Sequence, residues 1–160
     1  MPRLTRRAGF TLIELLITLA ILALLATLAL PTAQVSAQRV QEAELRRNLR
    51  EIRDGINAYK RAYDQGRIER KAGSTGFPPK LELLEEGVED VRDPKRNKIY
   101  FLRSVPRDPF FANPAMPAAN TWGKRSYASP PDEPKEGDDV FDVYSQSAAL
   151  GLNGVAYRRW

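Results

Sequence analysis

Phe10-Thr11-Leu12-Ile13-Glu14 opens a run that decides the architecture. Behind it, Leu15 to Leu30 reads LLITLAILALLATLAL, and the only charge between Arg7 and Arg39 is Glu14. About 20 apolar residues cross a bilayer core, so Phe10 to Pro31 is long enough for one spanning helix. Leu and Ala are good helix formers, and no Gly interrupts the run. Arg3, Arg6 and Arg7 lie on its amino-terminal side, which predicts a cytoplasmic amino terminus and an exported carboxyl terminus. The competing reading is a cleaved secretory signal peptide, with Val35-Ser36-Ala37 as the small-residue cleavage site. Against it stand a core longer than the ~7–15 residues of a signal peptide and Glu14 inside the apolar edge. There a carboxylate costs up to ~2.5–3.5 kcal/mol at full depth.

The remaining composition narrows the chemistry. The chain has 160 residues with 25 Lys+Arg, 20 Asp+Glu, no His and no Cys. Without Cys there is no disulfide framework, no thiol nucleophile and no ordinary structural zinc. Without His the commonest general base is missing, and His-dependent triads and metal sites go with it. Three basic and no acidic residues lie in positions 1–9, so the net charge falls from +5 to +2 without them. Elsewhere the basic residues are interleaved with acids rather than clustered, and no nucleic-acid partner is expected.

Arg6-Arg7-Ala8-Gly9-Phe10-Thr11-Leu12-Ile13-Glu14 closely resembles the processing motif of type IV prepilins and type II secretion pseudopilins. The resemblance implies a basic leader, residues 1–9, removed by a prepilin peptidase between Gly9 and Phe10, with methylation of the new Phe10 amine. It also implies a helix-kinking role for Pro31, a membrane helix and fibre stem at residues 10–31, and a periplasmic head at residues 32–160. Glu14 becomes the fifth residue of the mature chain, one helical turn from the Phe10 amine. It can pair with that amine in its own subunit or with a neighbour's in a staggered stack, where a missed partner leaves a desolvated charge. The simpler alternative leaves Glu14 at the headgroup boundary.

Beyond Pro31 the helix is expected to continue. Leu45, Leu49, Ile52, Ile56, Tyr59 and Tyr63 recur at spacings of 3 and 4, one apolar face of an amphipathic helix. Glu42 with Arg46 and Arg50 with Asp54 fall at pairing distance, and Asp64-Gln65-Gly66 ends the element. A short helix should follow Pro78-Pro79 and stop at Gly87, with Ile99 to Leu102 a short buried segment. Residues 110–121 read as an irregular loop. Alternating residues predict strands over Trp122–Ala128 and Asp139–Ser145, and a last strand over Val155–Trp160 is expected after the Gly151-Leu152-Asn153-Gly154 turn. The expected fold is α+β: a type IV pilin-like lollipop, a long helix followed by a small antiparallel sheet.

The head also resembles the major pseudopilin of type II secretion. The Pro-Pro loop, Val105-Pro106-Arg107-Asp108-Pro109, Trp122-Gly123, Phe141 to Ser145 and Gly154 to Trp160 carry that resemblance. Many Gram-negative type IV pilins close this region with a disulfide, which a chain without Cys cannot form. The pseudopilin family often binds calcium in an acidic loop after the strand matching Asp139–Ser145. Here Gln146 to Gly154 contains no acid, whereas calcium takes about 6–8 oxygens, several of them carboxylate. Asp138, Asp139, Asp142, Ser145 and Asn153 are nearby oxygen donors, but no metal residue is assigned. The resemblance implies a non-enzymatic pseudopilus subunit in the inner membrane, single-pass, with its carboxyl-terminal domain in the periplasm. Its partners would be copies of itself, minor pseudopilins, a prepilin peptidase, an assembly platform and its ATPase. A type IV pilin for adhesion, motility or DNA uptake is the nearest alternative. A secreted or membrane-tethered enzyme is the distant one.

Overall fold

The computed structural model describes residues 9–160, and the side chains of these except residues 27–33. The expected leader, residues 1–9, therefore lies outside the described residues except for Gly9. The side chain of Pro31 and the kink expected there lie outside them too. Contacts divide the chain into two units, Met1–Arg39 and Val40–Trp160. Helix α1 runs Leu12–Asp64, and short helix α2 runs Leu83–Glu86. Strands β1 (Val88–Glu89) and β2 (Lys98–Ile99) form one antiparallel pair; β3 (Trp122–Arg125) and β4 (Asp142–Ser145) form another.

In the Val40–Trp160 unit the core follows the apolar stripe of α1. Leu45, Leu49, Ile52, Ile56 and Tyr59 are buried against Leu81, Leu84, Leu102, Val105, Trp122, Val143 and Tyr157. α1 stops where expected. The Arg67 N–H donates to the Ala62 carbonyl at 2.9 Å, the Gly66 N–H to that of Tyr63 at 2.9 Å, and Gly66 sits at φ 69°. This is the Schellman arrangement, in which a left-handed residue satisfies the last carbonyls of a helix. Burial pushes the Tyr59 hydroxyl above its usual pKa, and neighbouring Tyr63 adds to the shift.

Val105 to Pro109 holds the loops of the head to one another. The Val105 N–H donates to Glu85 Oε2 at 2.7 Å, and the Pro106 carbonyl accepts the Trp122 indole N–H at 2.7 Å. The Arg107 carbonyl accepts from Asn48 on α1 at 2.9 Å, while its guanidinium donates to the carbonyls of Asn113 and Met116. Buried Asp108 accepts from the Phe110 N–H at 2.8 Å and the Ser145 hydroxyl at 2.6 Å. An unmade bond to any of these buried groups would cost about 1–3 kcal/mol.

Three expectations are corrected. The single small sheet is two separate two-stranded pairs, joined at Val88↔Ile99 and Trp122↔Ser145 in register. The last strand, Val155–Trp160, is instead a 3-10 turn at Tyr157–Arg159 with one isolated bridge, Leu150↔Ala156. Tyr157 folds inward there to stack on Phe110, with ring centroids 4.0 Å apart. Of Ile99 to Leu102, Leu102 is buried but Tyr100 is exposed, because Lys98 and Ile99 turn the chain into a hairpin with β1.

Candidate processing and assembly site

Gly9 and Phe10 precede α1 without regular structure, and both are exposed. A Cβ placed on Gly9 would meet nothing within 4 Å, and its backbone is not in the left-handed region. The fold itself therefore makes no demand for glycine at position 9. Thr11 caps the helix, its Oγ1 accepting the Glu14 N–H at 3.3 Å. Thr11-Leu12-Ile13-Glu14 is the Ser/Thr-x-x-Glu pattern of a capping box, which satisfies the otherwise orphaned first N–H groups. That signal was present in the sequence, but the bond formed uses the Glu14 main-chain N–H, and the carboxylate makes no reciprocal bond to the Thr11 N–H among the described residues. A carboxylate in the first turn also faces the positive end of the helix dipole.

From Leu12 to Leu25 the large side chains stand exposed on every side of α1, Leu12 at 77% and Leu25 at 57%. A helix that is apolar all round requires a nonaqueous surrounding: a core, a bundle or a membrane. Thr18 needs no outside partner, because its hydroxyl donates to the Leu15 carbonyl at 2.9 Å. The Glu14 carboxylate is different, making no hydrogen bond or ion pair among the described residues. Among those residues no helix is long and apolar enough to cross a membrane. The continuously described apolar run, Leu12 to Ala26, is shorter than the about 20 residues a bilayer core takes.

Four of the oxygen donors considered for calcium, Asp139, Asp142, Ser145 and Asn153, are engaged in the head. Asp142 accepts from Arg53 Nε at 2.8 Å and lies 3.7 Å from the Arg125 guanidinium, a surrounding that repels a cation. Asp139 accepts from the Thr75 hydroxyl and, at 2.8 Å, from the Tyr127 N–H. It thereby joins two loops across a groove of about 1200 Å³. The Ser145 hydroxyl donates to Asp108, and Asn153 Oδ1 accepts the Val155 N–H at 3.0 Å. Among the described residues, no three acids are grouped so as to hold a metal ion.

What ties down the carboxyl-terminal loop is a residue the sequence did not single out for it. Glu42 is buried on α1, and its Oε1 accepts the Leu152 N–H at 2.7 Å and the Tyr157 hydroxyl at 3.0 Å. Arg46 lies 4.2 Å over the Trp160 ring, and Arg53 Nη2 donates to the Trp160 main-chain oxygen at 2.9 Å.

A basic leader, Gly9 and a capped apolar helix with one carboxylate at its start form a single contiguous pattern. Residues 4–30 match the family model of the prokaryotic N-terminal methylation motif. This motif is the signature of type IV prepilin-like proteins, pilins and pseudopilins alike, which are structural proteins processed by prepilin peptidase and assembled with other pilins. The α+β arrangement of the described residues is consistent with such a protein. No curated protein and no solved structure matches the chain.

Proposed function

We propose that the chain is a structural, non-enzymatic subunit of a type II secretion pseudopilus. The observation that carries this reading is the methylation motif followed at once by an apolar helix whose lone carboxylate has no partner within the described residues. A prepilin peptidase removes residues 1–9 and methylates Phe10. Residues 10–31, kinked at Pro31, anchor the mature protein in the inner membrane, and residues 32–160 fold in the periplasm. Because position 9 has open space and ordinary backbone, the demand for glycine belongs to the peptidase that reads it. An assembly ATPase and membrane platform then draw subunits, with minor pseudopilins, from the bilayer into a fibre that drives folded cargo outward.

Within the fibre the apolar stems gain little from one another over lipid, so packing and polar contacts set the register. Glu14 supplies that contact by meeting the Phe10 amine of a neighbouring subunit. The head resemblance at Val105–Pro109 and Phe141–Ser145 favours a pseudopilin over a pilin. Intact-mass and fragment analysis of the membrane-extracted protein tests the reading. Methylated Phe10 is the expected terminus, and a chain beginning at Gln38 would make it a secreted protein. Deleting the chromosomal copy then separates the two fibre types: lost export of folded cargo marks a pseudopilus, and lost surface fibres with normal export mark a pilus.

A further inference from the structure

We propose that the loop Leu150–Val155, with Arg158 and Arg159, is a docking surface for an anionic phospholipid bilayer. It would hold the head against the leaflet from which the stem emerges before assembly. The proposal rests on the membrane-anchored reading above and adds a lipid class and a surface to it.

The loop is built as a rigid tip. The Gly151 N–H donates to the Val155 carbonyl at 2.9 Å, and the Gly154 N–H returns to the Gly151 carbonyl at 2.8 Å. These bonds turn three apolar side chains to solvent: Leu150 is 63% exposed, Leu152 44% and Val155 40%. Exposed leucines and valine on one short loop, where the interior holds Tyr157 and Gly151, are surplus to the core. Glu42 anchors this tip to α1 through Leu152 and Tyr157. Glu42 lies in the first turn of the Val40–Trp160 unit, the end at which the chain enters from its apolar segment. The tip is therefore fixed to the first residues of α1 within that unit.

Charge selects the partner. Arg158 and Arg159 are exposed on the following 3-10 turn, and Arg46 lies half exposed beside Trp160. From Val143 to Trp160 there is no acid at all. Glu42 is buried and bonded, and Glu44 lines a different groove with Arg107 and Pro109. Apolar side chains flanked by arginines are the composition of a surface that rests in the headgroup layer, with each basic residue strengthening attachment to anionic lipid. A second copy of this chain would need a matching acidic and apolar patch, and the same loop offers none.

The test uses the full-length chain in vesicles of phosphatidylethanolamine with or without phosphatidylglycerol. The chain has no Cys, so Leu152→Cys and Val155→Cys each accept a single nitroxide label, with Ala128→Cys as an exposed control on another loop. Collision with a water-soluble nickel chelate should fall several-fold at 152 and 155 relative to 128, in phosphatidylglycerol vesicles and at every protein-to-lipid ratio. Arg158→Glu with Arg159→Glu should restore collision, since each arginine at an anionic surface is worth about fivefold in attachment. Collision at 152 and 155 equal to that at 128 on both vesicle types would overturn the proposal while leaving the anchored reading intact. Protection that grows with protein density without phosphatidylglycerol would assign the loop to a second copy instead. Failure of the chain to float with vesicles would overturn the proposal together with the anchored reading.

Discussion

Glu42→Ala should be among the most damaging single changes in the head. Its carboxylate serves two donors, the Leu152 N–H and the Tyr157 hydroxyl, through one oxygen. Tyr157 is buried, so its hydroxyl would be left without an acceptor, at about 2–3 kcal/mol. Leu152 lies on the exposed tip, where water repairs most of the loss, leaving about 1 kcal/mol. The total is about 3–4 kcal/mol, or roughly 10–15 °C in unfolding midpoint for a unit of this size. Glu42→Gln keeps an oxygen in place but gives up the charge. Charge-assisted bonds are about twice as strong as neutral ones, so it should lose about half as much. Exposed Glu44 provides the control, and its replacement by Ala should stay within about 0.5 kcal/mol. Thermal unfolding of the full chain in detergent, followed by near-ultraviolet circular dichroism from Trp122 and Trp160, reads the difference. Equal midpoints for Glu42→Ala and Glu44→Ala would refute the reasoning, and the loop would then be held by ring packing alone.

Five further changes, at four positions, address other parts of the chain. Gly9→Leu should block processing, leaving a membrane protein heavier by the leader on mass analysis; normal mature protein would move the cleavage site. Glu14→Leu should leave cleavage and insertion intact but abolish fibres in a shearing assay. Glu14→Gln, which keeps the shape but not the charge, should fail equally, whereas fibre rescue by Gln would refute ion pairing. Gly87 sits at φ 73° and ψ 156°, where a Cβ would also meet the Ile99 carbonyl at 3.0 Å. That conformation is essentially reserved for glycine, so Gly87→Ala should cost about 1–3 kcal/mol in a denaturant titration; an unchanged midpoint would count against the strained turn. The Arg67 guanidinium bonded to Asp90 holds its carboxyl below the ordinary range, helped by the Arg92 N–H. A depressed carboxyl stabilises the fold above the ordinary carboxylate range, and that contribution is lost as pH falls through the lowered value. Asp90→Asn should therefore lower the midpoint at neutral pH yet flatten its decline below about pH 4; parallel acid limbs would contradict it.

The helical parts of this chain were legible because their signals are local and periodic. The stripe from Leu45 to Tyr59, the stop at Gly66 and the stop of α2 before Gly87 each follow from spacing or from one permissive residue. Gly55 reads in the sequence as a weak point in α1, but it is buried, and Leu102 packs where its Cβ would be, 3.0 Å away. That role depends on a loop 47 residues later, which no window along the chain reveals. The sheet was legible in β3 and β4 but overdrawn at Val155–Trp160, where the chain forms a 3-10 turn around one inward tyrosine. At the amino terminus the methylation motif was written in sequence order, whereas Glu42 was hidden. A lone acid beside an apolar stripe looks solvated until its partners arrive from the other end of the chain.

That arrival has an order in time. Glu42 and Tyr157 are 115 residues apart, and Arg53 waits for Trp160 across 107. A chain that emerges amino-terminal side first exposes the polar and apolar faces of α1 long before residues 142–160 arrive to cover them. Contacts so distant in sequence are slow to form, because the loop must close before they contribute. Closure of the head is then the last event of folding, and any stall that holds back the final turn leaves an open helix for proteases and chaperones to find.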